Sequence, residues 1–455
     1  MSFTVQGQHV VVAGGGRSGL AAADLLLSRG ARVTLSDVYE PEGAEPLRRR
    51  GVVVDIGPHR TDVFAGADLI VLSPGVPADQ EAVEAARRAG VPVVGEIELS
   101  SRWLQGRMIA ITGTKGKSTT TTLTARMLEE AGMDSTAGGN LGQPLSTQVA
   151  SSHPHTLHVV EVSSFQLETT DRFHPWIAVL LNLSPDHLDR HPTFEAYAAA
   201  KARVFANQTP EDWAVVNADD APSMALARDG RARRFDFALD ADVSNGVTVK
   251  GGDIVRRDNG KTAALVPLSA VRLPGRHLLG DVLAATAVGC VAGVPAAAMR
   301  RAVERFSGLP HALEHVADIA GVAFVNDSKA TNIASARRSI ESFPTGVVAI
   351  MGGKFKGGDF ADLRDAVGAH ATAIVAIGEA APLIETALGA LVPVRRAASM
   401  RDAVSAAFEM ARPGGVVVLA PACSSFDMFR DYVDRGEQFR AAVGELEAGK
   451  RTTKR

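Results

Sequence analysis

Residues 109–119 read Ile109-Ala110-Ile111-Thr112-Gly113-Thr114-Lys115-Gly116-Lys117-Ser118-Thr119. An apolar β-run is followed by a glycine turn, and a helical pattern then runs from about Lys117 to Ala131. In such a turn, backbone N–H groups and the positive end of the helix cradle phosphates. Lys117 is then placed to reach the terminal phosphates of a nucleotide, and Ser118 or Thr119 to bind Mg²⁺. The stretch predicts the mononucleotide-binding core of an α/β fold.

This turn is shorter than the usual phosphate-binding loop of about eight residues, so that Ile111 stands where the first glycine would be. A Gly/Thr-rich turn with solvated lysines is therefore the alternative interpretation. The order of strand, turn and helix favours the phosphate-binding one.

Acidic and imidazole side chains follow the next two strands along the chain. Glu161 lies near the end of the strand predicted at His158 to Val162, and Asp186-His187-Leu188-Asp189 follows the strand predicted at Ile177 to Leu181. Because α/β folds bind ligands at the carboxyl ends of their strands, we expect these groups beside the phosphate loop. A carboxylate and an imidazole there would complete the coordination of Mg²⁺. Taken alone, His187 has the alternative role of an ordinary loop histidine.

Strand and helix patterns also alternate before this stretch, over the first hundred residues, and again after Gly308-Leu309-Pro310. The predicted strands are His9 to Ala13, Ala31 to Leu35, Leu69 to Leu72 and Val91 to Val94 in the first part, and Val322 to Asn326, Val347 to Met351, Ala373 to Ile377 and Val416 to Leu419 in the last. At roughly 150 residues per domain, a chain of 455 residues predicts about three domains. We therefore expect an α/β protein with a Rossmann-like N-terminal domain (residues 1–95), a central ATP-binding domain of P-loop type (residues 96–308) and a Rossmann-like C-terminal domain (residues 309–455).

Composition excludes several classes of protein. A formal net charge of -3 gives no broad cationic field for nucleic acid or anionic lipid, so we expect neither as a partner. Met1 to Val10 lack the pattern of a signal peptide, and no run of about 20 apolar residues predicts a membrane span. We expect a cytoplasmic monomer. Cys290 and Cys423 lack the spacing of a zinc site or a disulfide framework.

The N-terminal domain contains a second glycine motif, Gly14-Gly15-Gly16-Arg17-Ser18-Gly19, with Asp37 after the next strand. This pattern satisfies the dinucleotide fingerprint and, read alone, indicates an NAD-dependent oxidoreductase. The same physics serves any pyrophosphate, including that of a UDP-linked substrate. An NAD enzyme would leave the loop at Gly113 to Thr119 without a role.

Further motifs stand in a fixed order along the chain: Gly139-Asn140-Leu141-Gly142, Glu161-Val162-Ser163-Ser164-Phe165-Gln166, Asp186-His187-Leu188-Asp189, and Lys201 within Ala200-Lys201-Ala202-Arg203. Together with the phosphate loop they resemble the central domain of the Mur ligase family of ATP-dependent carboxylate–amine ligases. Near the C-terminus, Asn326-Asp327-Ser328-Lys329-Ala330-Thr331-Asn332 resembles the branch of that family that adds D-glutamate. Gly352 to Gly357 and Pro421 to Asp427 agree with it, so the resemblance covers nearly the whole chain.

This resemblance implies a reaction. ATP would activate the carboxylate of UDP-N-acetylmuramoyl-L-alanine as an acyl phosphate, and the amine of D-glutamate would then displace phosphate, in peptidoglycan precursor synthesis. ATP, two Mg²⁺ ions and CO₂ are the implied cofactors, with CO₂ held as a carbamate on Lys201. Lys117, His187 and Lys201 are the implied catalytic residues. The implied metal ligands are Ser118, Thr119, Glu161, His187 and Lys201.

The resemblance also implies three groups of binding residues. ATP would be held by Gly113, Thr114, Lys115, Gly116, Lys117, Ser118, Thr119, Asp281 and Asp327. The UDP-sugar substrate would be held by Arg17, Ser18, Asp37, Ser73, Pro74, Gly75, Asn140, Ser163 and Gln166. D-Glutamate would be held by Lys329, Thr331, Lys356, Ser425, Phe426 and Tyr432.

Departures from the family pattern concern the nucleotide site. Leu278 and Asp281 stand where the family usually has asparagines, Ala312 stands where it has an arginine, and Lys115 stands where members often have asparagine. A relative that has lost catalysis and only binds UDP-sugars is therefore a further alternative. The retained Lys117, Glu161, His187 and Lys201 favour an active ligase.

Overall fold

The computed structural model describes residues 3–187, 190–273, 275–355 and 357–452. Two compact units are present: one holds the chain up to Val271 together with His277–Arg305, and the other holds Arg272–Arg276 together with the chain from Phe306 onward. Each of the three predicted domains contains its own main sheet. The α/β prediction is confirmed, and the domain boundaries stay a prediction. Of the helices in the described ranges, none combines the length and apolarity needed to cross a bilayer.

The N-terminal part is a parallel sheet in the order β3-β2-β1-β4-β5, flanked by helices. Its central strand β1 is buried on both faces, which is why it reads as a continuous run of valines. The strand order reverses between β1 and β4, and ligands of such sheets bind at that point. The elements are β1 (His9–Ala13), α1 (Arg17–Ser28), β2 (Arg32–Asp37), α2 (Glu45–Arg49), β3 (Val53–Ile56), α3 (Thr61–Ala65), β4 (Leu69–Leu72), α4 (Glu81–Arg88), β5 (Val93–Gly95) and α5 (Glu96–Ser101).

The central part contains a parallel sheet in the order β11-β10-β9-β6-β8-β7. Strands β9, β6 and β8 are neighbours, so that the segments following them meet at one edge of the sheet. The elements are β6 (Arg107–Thr112), α6 (Lys117–Glu130), β7 (Ser135–Gly139), β8 (Leu157–Glu161), α7 (Ser164–Glu168), β9 (Ile177–Leu180), α8 (Phe194–Ala202), β10 (Trp213–Val216), α9 (Ala221–Leu226) and β11 (Arg233–Arg234). 3₁₀ segments lie at Leu145–Ser151 and Arg203–Phe205.

A small sheet and two helices complete this part. Strands β12 to β15 form a four-stranded sheet, in which β13, β14 and β15 pair antiparallel. Helix α10 carries a largely apolar, buried face. The elements are β12 (Asp236–Phe237), β13 (Asn245–Lys250), β14 (Asp253–Asp258), β15 (Lys261–Pro267), a 3₁₀ turn (Leu268–Ala270), α10 (Arg276–Ala292) and α11 (Ala296–Arg305).

The C-terminal unit contains a six-stranded sheet in the order β16-β17-β21-β18-β19-β20. All neighbouring strands are parallel except β16, which pairs antiparallel with β17 at the edge. The elements are β16 (Glu314–Ile319), β17 (Val322–Asn326), α12 (Ile333–Glu341), β18 (Val347–Gly352), a 3₁₀ turn (Phe360–Leu363), α13 (Arg364–His370), β19 (Ala371–Ile377), α14 (Ala381–Leu388), β20 (Val394–Arg396), α15 (Met400–Ala411), β21 (Val416–Leu419) and α16 (Tyr432–Thr452).

Helix α5 joins the first two sheets and is fastened by two buried glutamates. Glu98 Oε2 accepts the backbone N–H groups of residues 171, 172 and 173 at 2.9, 3.0 and 2.9 Å. Its other oxygen accepts from Arg102 Nε at 2.8 Å. Glu96 Oε1 accepts the backbone N–H of Ser146 at 2.6 Å. Because a buried carboxylate is stable only when hydrogen-bonded, these contacts hold α5 firmly against the central sheet.

Candidate active site

The loop between β6 and α6 has the geometry of a phosphate cradle. Gly116 ends the loop with φ 85°, a left-handed conformation that favours glycine. Lys117 Nζ folds back and donates to the carbonyl oxygens of Gly113 and Thr114 at 3.0 and 3.1 Å. Helix α6 begins at Lys117, so that its first backbone N–H groups point into the loop. Ser118 and Thr119 lie in the first turn of this helix and are half-buried.

Lys115 extends from the same loop toward the segment that follows β9. Its ammonium group forms an ion pair with Asp186 Oδ2 at 2.8 Å. Its backbone N–H donates to Asn182 Oδ1 at 2.9 Å. The loop is therefore tied to the neighbouring strand end through both the backbone and the charge of Lys115.

Glu161 ends β8 at the same edge of the sheet. Its side chain is only 2% exposed. Oε1 accepts from Asn140 Nδ2 at 2.6 Å, whereas the buried Oε2 has no hydrogen-bond partner among the described residues. A buried carboxylate oxygen without a partner is costly, and a cation would remove that cost.

His187 lies on the segment after β9 in a left-handed backbone conformation, with φ 56°. Its ring meets the edge of Phe165, with ring centroids 5.0 Å apart. Phe165 in turn stacks on His191 at 5.3 Å. His191 is fixed on both sides, by Ser164 Oγ at 3.0 Å and by Glu168 Oε1 at 3.1 Å. Helix α7 therefore provides a support for the segment that carries His187.

The side chain of Lys201 in α8 extends to the phosphate loop. Its side chain is 2% exposed, and Nζ donates to the Gly113 carbonyl at 2.8 Å. Burial, together with the positive charge of Lys117, lowers the pKa of Lys201 to about 7. At neutral pH a lysine with that pKa is present in substantial part as the neutral amine, which is a nucleophile.

Tyr197 is a site residue that sequence reasoning missed. Its hydroxyl lies 3.0 Å from Thr114 Oγ1, and Lys201 Nζ lies 4.8 Å from the centroid of its ring. Burial raises the pKa of Tyr197 to about 12, so that the hydroxyl stays protonated. Its position four residues before Lys201 puts both on one face of α8, and that spacing was the available signal.

Asp281 of α10 lies on the other side of the loop. The carboxyl is buried, with 6% exposure, and rests against Gly116. Burial raises the pKa of Asp281 to about 8, and the charge of Lys117 partly opposes that shift. The structure thus brings Asp281 to the phosphate loop, together with Lys117, Glu161 and Lys201.

A cavity of about 260 Å³ lies between the N-terminal glycine loop and the central sheet. Its walls contain six of the residues predicted to hold the UDP-sugar substrate, namely Arg17, Ser18, Pro74, Gly75, Asn140 and Gln166. Arg17 also crosses this cavity and donates to the carbonyl of Gly142 at 3.3 Å. The other three residues predicted for this substrate do not line the cavity.

Those three residues shape the loops around the cavity. Asp37 Oδ2 accepts the backbone N–H of Gly15 at 2.5 Å, and Ser73 Oγ donates to the Gly14 carbonyl at 2.8 Å. Ser163 caps α7 and forms a reciprocal capping box with Gln166. Their hydrogen bonds set the shape of the glycine loop and the start of α7.

In the C-terminal unit, Asp327 follows β17 and forms hydrogen bonds with other residues of that unit. Its carboxyl accepts the backbone N–H of Leu313 at 3.3 Å and the hydroxyl of Ser339. Burial raises the pKa of Asp327 to about 6, against the opposing hydrogen bond from Ser339.

The remaining predicted residues of this unit differ in exposure. Lys329 and Phe426 are exposed, the latter by 66%, whereas Ser425 is buried. Thr331 is half-buried and Tyr432 is exposed. Lys356 lies outside the described residues.

Arg435 is a second residue that sequence reasoning missed. It is fully buried in α16 and donates to the carbonyls of Ser328 and Cys423 at 2.8 and 3.1 Å. Burial lowers its pKa to about 10, so that the guanidinium stays charged. Arg435 thereby joins the segment after β17 to the segment after β21. No local pattern around Arg435 signals this role, because its partners lie far away in sequence.

Among the described residues, no group of three or more His, Cys, Asp or Glu side chains forms a metal site by itself. Mg²⁺ commonly takes only one or two carboxylates from a protein and completes its shell with phosphate oxygens and water. The unpartnered oxygen of Glu161 and the hydroxyls at the start of α6 fit that requirement.

Comparison with known proteins gives matches along most of the chain. Family models match as "Mur ligase MurD-like, N-terminal domain" over residues 8–95, "Mur ligase middle domain" over residues 111–289, and "Mur ligase, glutamate ligase domain" over residues 313–423. A protein of Acidobacterium capsulatum named UDP-N-acetylmuramoylalanine–D-glutamate ligase is 45% identical, over 96% of both chains. One of the same name from Koribacter versatilis is 42% identical, over 97% of this chain and 98% of the other.

Solved structures agree with the fold. UDP-N-acetylmuramate–alanine ligase MurC from Thermotoga maritima superposes with a TM-score of 0.60 at 19% identity, over 96% of this chain and 100% of the other. A pseudomurein peptide ligase type C from Methanothermus fervidus gives a TM-score of 0.58 at 14% identity, over 96% of this chain and 100% of the other. At these identities the likeness concerns the three-domain α/β fold alone.

Proposed function

The chain belongs to the Mur ligase family, and from that membership we propose that it joins D-glutamate to UDP-N-acetylmuramoyl-L-alanine with cleavage of ATP, in peptidoglycan precursor synthesis. Relatives of 45% and 42% identity over nearly their whole length carry the name of that ligase. The observation that carries the proposal is the meeting of the phosphate loop, Glu161 and Lys201 at one edge of the central sheet. The NAD-dependent alternative leaves this edge without a role.

Two steps make up the reaction. A carboxylate oxygen of the muramoyl substrate attacks the terminal phosphorus of ATP, and ADP leaves. The amine of D-glutamate then attacks the acyl carbon, and phosphate leaves with that oxygen. Apart from the proposed carbamate, the protein forms no covalent bond with the reactants. Catalysis therefore consists of positioning the reactants and of stabilising the charge on the phosphoryl group in transfer.

The residues of the phosphate loop would hold ATP. The backbone from Gly113 to Thr119 offers N–H groups to the phosphates, and Lys117 stabilises the charge on the phosphoryl group in transfer. The observed bonds of Lys117 to the loop carbonyls keep its ammonium group above the cradle. Asp281 borders the same loop.

Mg²⁺ fits the anionic edge of this site. Ser118, Thr119, Glu161 and His187 would hold it, with the unpartnered Oε2 of Glu161 as the strongest indication. When bound, the metal neutralises phosphate charge. Asn140 orients Glu161 through the bond to Oε1, which leaves Oε2 for the ion.

Lys201 would carry CO₂ as a carbamate and so help to bind a second Mg²⁺. The chemistry requires an unprotonated amine, and the lowered pKa of Lys201 supplies one. The ring of Tyr197 and the Gly113 carbonyl fix the position of that amine. Carbamate formation turns a buried base into an anion, which suits a site that binds cations.

The two substrates that are joined, the UDP-sugar and D-glutamate, would bind beside different sheets. The cavity lined by Arg17, Ser18, Pro74, Gly75, Asn140 and Gln166 suits the UDP-sugar, and the positive charge of Arg17 suits the diphosphate. Asp37, Ser73 and Ser163 would complete that site. In the C-terminal unit, Lys329, Thr331, Lys356, Ser425, Phe426 and Tyr432 would hold D-glutamate, and Asp327 the ribose of the nucleotide.

The setting of the enzyme follows from its substrates. Nucleotide-linked precursors and ATP place the reaction in the cytoplasm. The net charge of -3 disfavours nucleic acid and anionic membranes as partners. A monomer suffices, because one chain supplies every residue assigned above.

Phosphate release from ATP tests the proposed function. The nucleotide sugar is supplied with D-glutamate, L-glutamate, L-alanine or L-lysine in turn. We expect release only with the nucleotide sugar and D-glutamate together. Equal turnover with L-alanine or L-lysine would overturn the assignment, and reduction of NAD by any of these mixtures would favour the oxidoreductase.

A further inference from the structure

Asp281 occupies an unusual position beside the phosphate loop. Gly116 adopts φ 85°, and a Cβ added to it would lie 2.8 Å from Asp281 Cγ, 3.0 Å from Oδ2 and closer still to Oδ1. The carboxyl therefore fills the place that a side chain at residue 116 would take. With 6% exposure, it is also withdrawn from solvent. Asp281 forms part of the loop's wall.

Opposing influences act on this carboxyl. Burial favours its neutral form, whereas Lys117 and the positive end of α6 favour its anion. Lys117 is the charged group that faces it from α6, and Arg276 and His277 begin its own helix. Burial prevails and raises the pKa of Asp281 to about 8. The groups that favour the anion are the ones that a polyphosphate would also bind.

We propose that Asp281 couples nucleotide binding to proton uptake. When the polyphosphate of ATP binds Lys117 and the N-terminus of α6, these groups no longer stabilise the Asp281 anion, and the carboxyl binds a proton from solvent. The inference rests on the proposed role of the loop as the ATP site. One O–H bond forms on the carboxyl, and no other bond changes. The neutral carboxyl faces the loop as a hydrogen-bond donor instead of repelling the phosphates.

Asparagine at residue 281 offers a matched comparison, because an amide has nearly the same shape and donates without a proton. Asp281→Asn should therefore bind ATP with no proton uptake at this residue. Asp236→Asn serves as the control. Asp236 lies in the small sheet, and burial raises its pKa as well, but it pairs with Arg234.

Calorimetric titration of ATP with MgCl₂, without the muramoyl substrate, measures the coupling. Titrations in two buffers of different ionisation enthalpy give the number of protons taken up. At pH 8 the wild-type protein should take up about half a proton more than Asp281→Asn, and at pH 9 nearly one more. Over the same range, its affinity for ATP should fall up to about tenfold per pH unit relative to that variant. Asp236→Asn should behave as the wild type.

Equal proton uptake by wild type and Asp281→Asn would overturn the inference while leaving the ATP site intact. If the wild type does not bind ATP at all, the proposed ATP site fails and the inference fails with it. Should Asp281→Asn not fold, infrared difference spectra of the wild type at pH 9 decide the matter. Addition of ATP should produce the carbonyl band of a protonated carboxyl, and its absence would contradict the inference.

Discussion

At the scale of single residues, Lys201 has the most specific proposed role, that of a lysine that reacts with CO₂. A buried amine with a pKa near 7, held against the phosphate loop, suits reaction with CO₂. We predict that Lys201→Ala loses ligase activity and that a small carboxylate such as formate partly restores it, because the added anion would replace the proposed carbamate at the metal. Steady-state phosphate release measures both effects.

Lys250→Ala is the matched control for that experiment, since Lys250 is an exposed lysine at the end of β13. It should keep full activity, with or without formate. Full activity of Lys201→Ala in the absence of additives would remove the carbamate from the account.

Lys117 gives a second prediction at this scale. Removal of one preorganised cation from a phosphoryl-transfer site costs about 3 kcal/mol of transition-state stabilisation, or more than a hundredfold in kcat. Lys117→Ala should lose that much activity and still bind the UDP-sugar substrate, because the cavity proposed for that substrate is lined by other residues. Calorimetric binding of the substrate is the control, and near-normal turnover of the variant would refute the ATP site.

The sequence indicated site residues where a motif surrounds them. Glu161 and Lys201 were predicted at the site, and the structure places both beside the loop. Tyr197 was not predicted although its spacing to Lys201 was a signal, because its second contact, Thr114, lies far away in sequence. Arg435 was not predicted because its contact with Ser328 is also distant in sequence. Motif reasoning identifies groups that touch a ligand more readily than groups that hold those groups in place.

At the scale of elements, helix α5 controls how the first two sheets are joined. Glu98→Ala would remove the buried carboxylate that accepts from three backbone N–H groups and from Arg102 Nε. Loss of one member of such a buried pair costs about 3 to 5 kcal/mol. We predict a loss of that size in the free energy of unfolding, measured with denaturant.

Glu98→Gln is the companion variant, because it keeps one acceptor oxygen and the shape of the side chain. It should lose less stability than Glu98→Ala. A change below about 1 kcal/mol for the alanine variant would show that α5 is not fastened through Glu98.

Buried parallel strands were the elements that the sequence predicted best. The predicted bounds of β1, β4, β17 and β21 agree with the structure at both ends, because each consists of an apolar run with at most one polar residue at its end. The sheet of β12 to β15 was missed. Its strands are short or largely exposed, as the first four residues of β15 are, so that no buried apolar run marks them. Edge strands such as β3 and β20 were not predicted, for the same reason.

At the scale of the whole molecule, three sheets each present loops at the carboxyl ends of their parallel strands. The first carries the glycine loop and the cavity proposed for the UDP-sugar, the second the phosphate loop, and the third the segments joined by Arg435. Alternation of strand and helix patterns was enough to predict this division. The roles of the three parts came from the resemblance of their motifs, since a fold alone does not specify function.

Transfer of oxygen from substrate to phosphate tests the central claim, that this molecule couples ATP cleavage to ligation through an acyl phosphate. The enzyme is supplied with ATP, Mg²⁺, D-glutamate and UDP-N-acetylmuramoyl-L-alanine whose carboxylate carries ¹⁸O, and the released phosphate is analysed by mass spectrometry. We predict one labelled oxygen in each phosphate, formed only when D-glutamate is present. Release of unlabelled phosphate would show that water attacks ATP and would contradict the account.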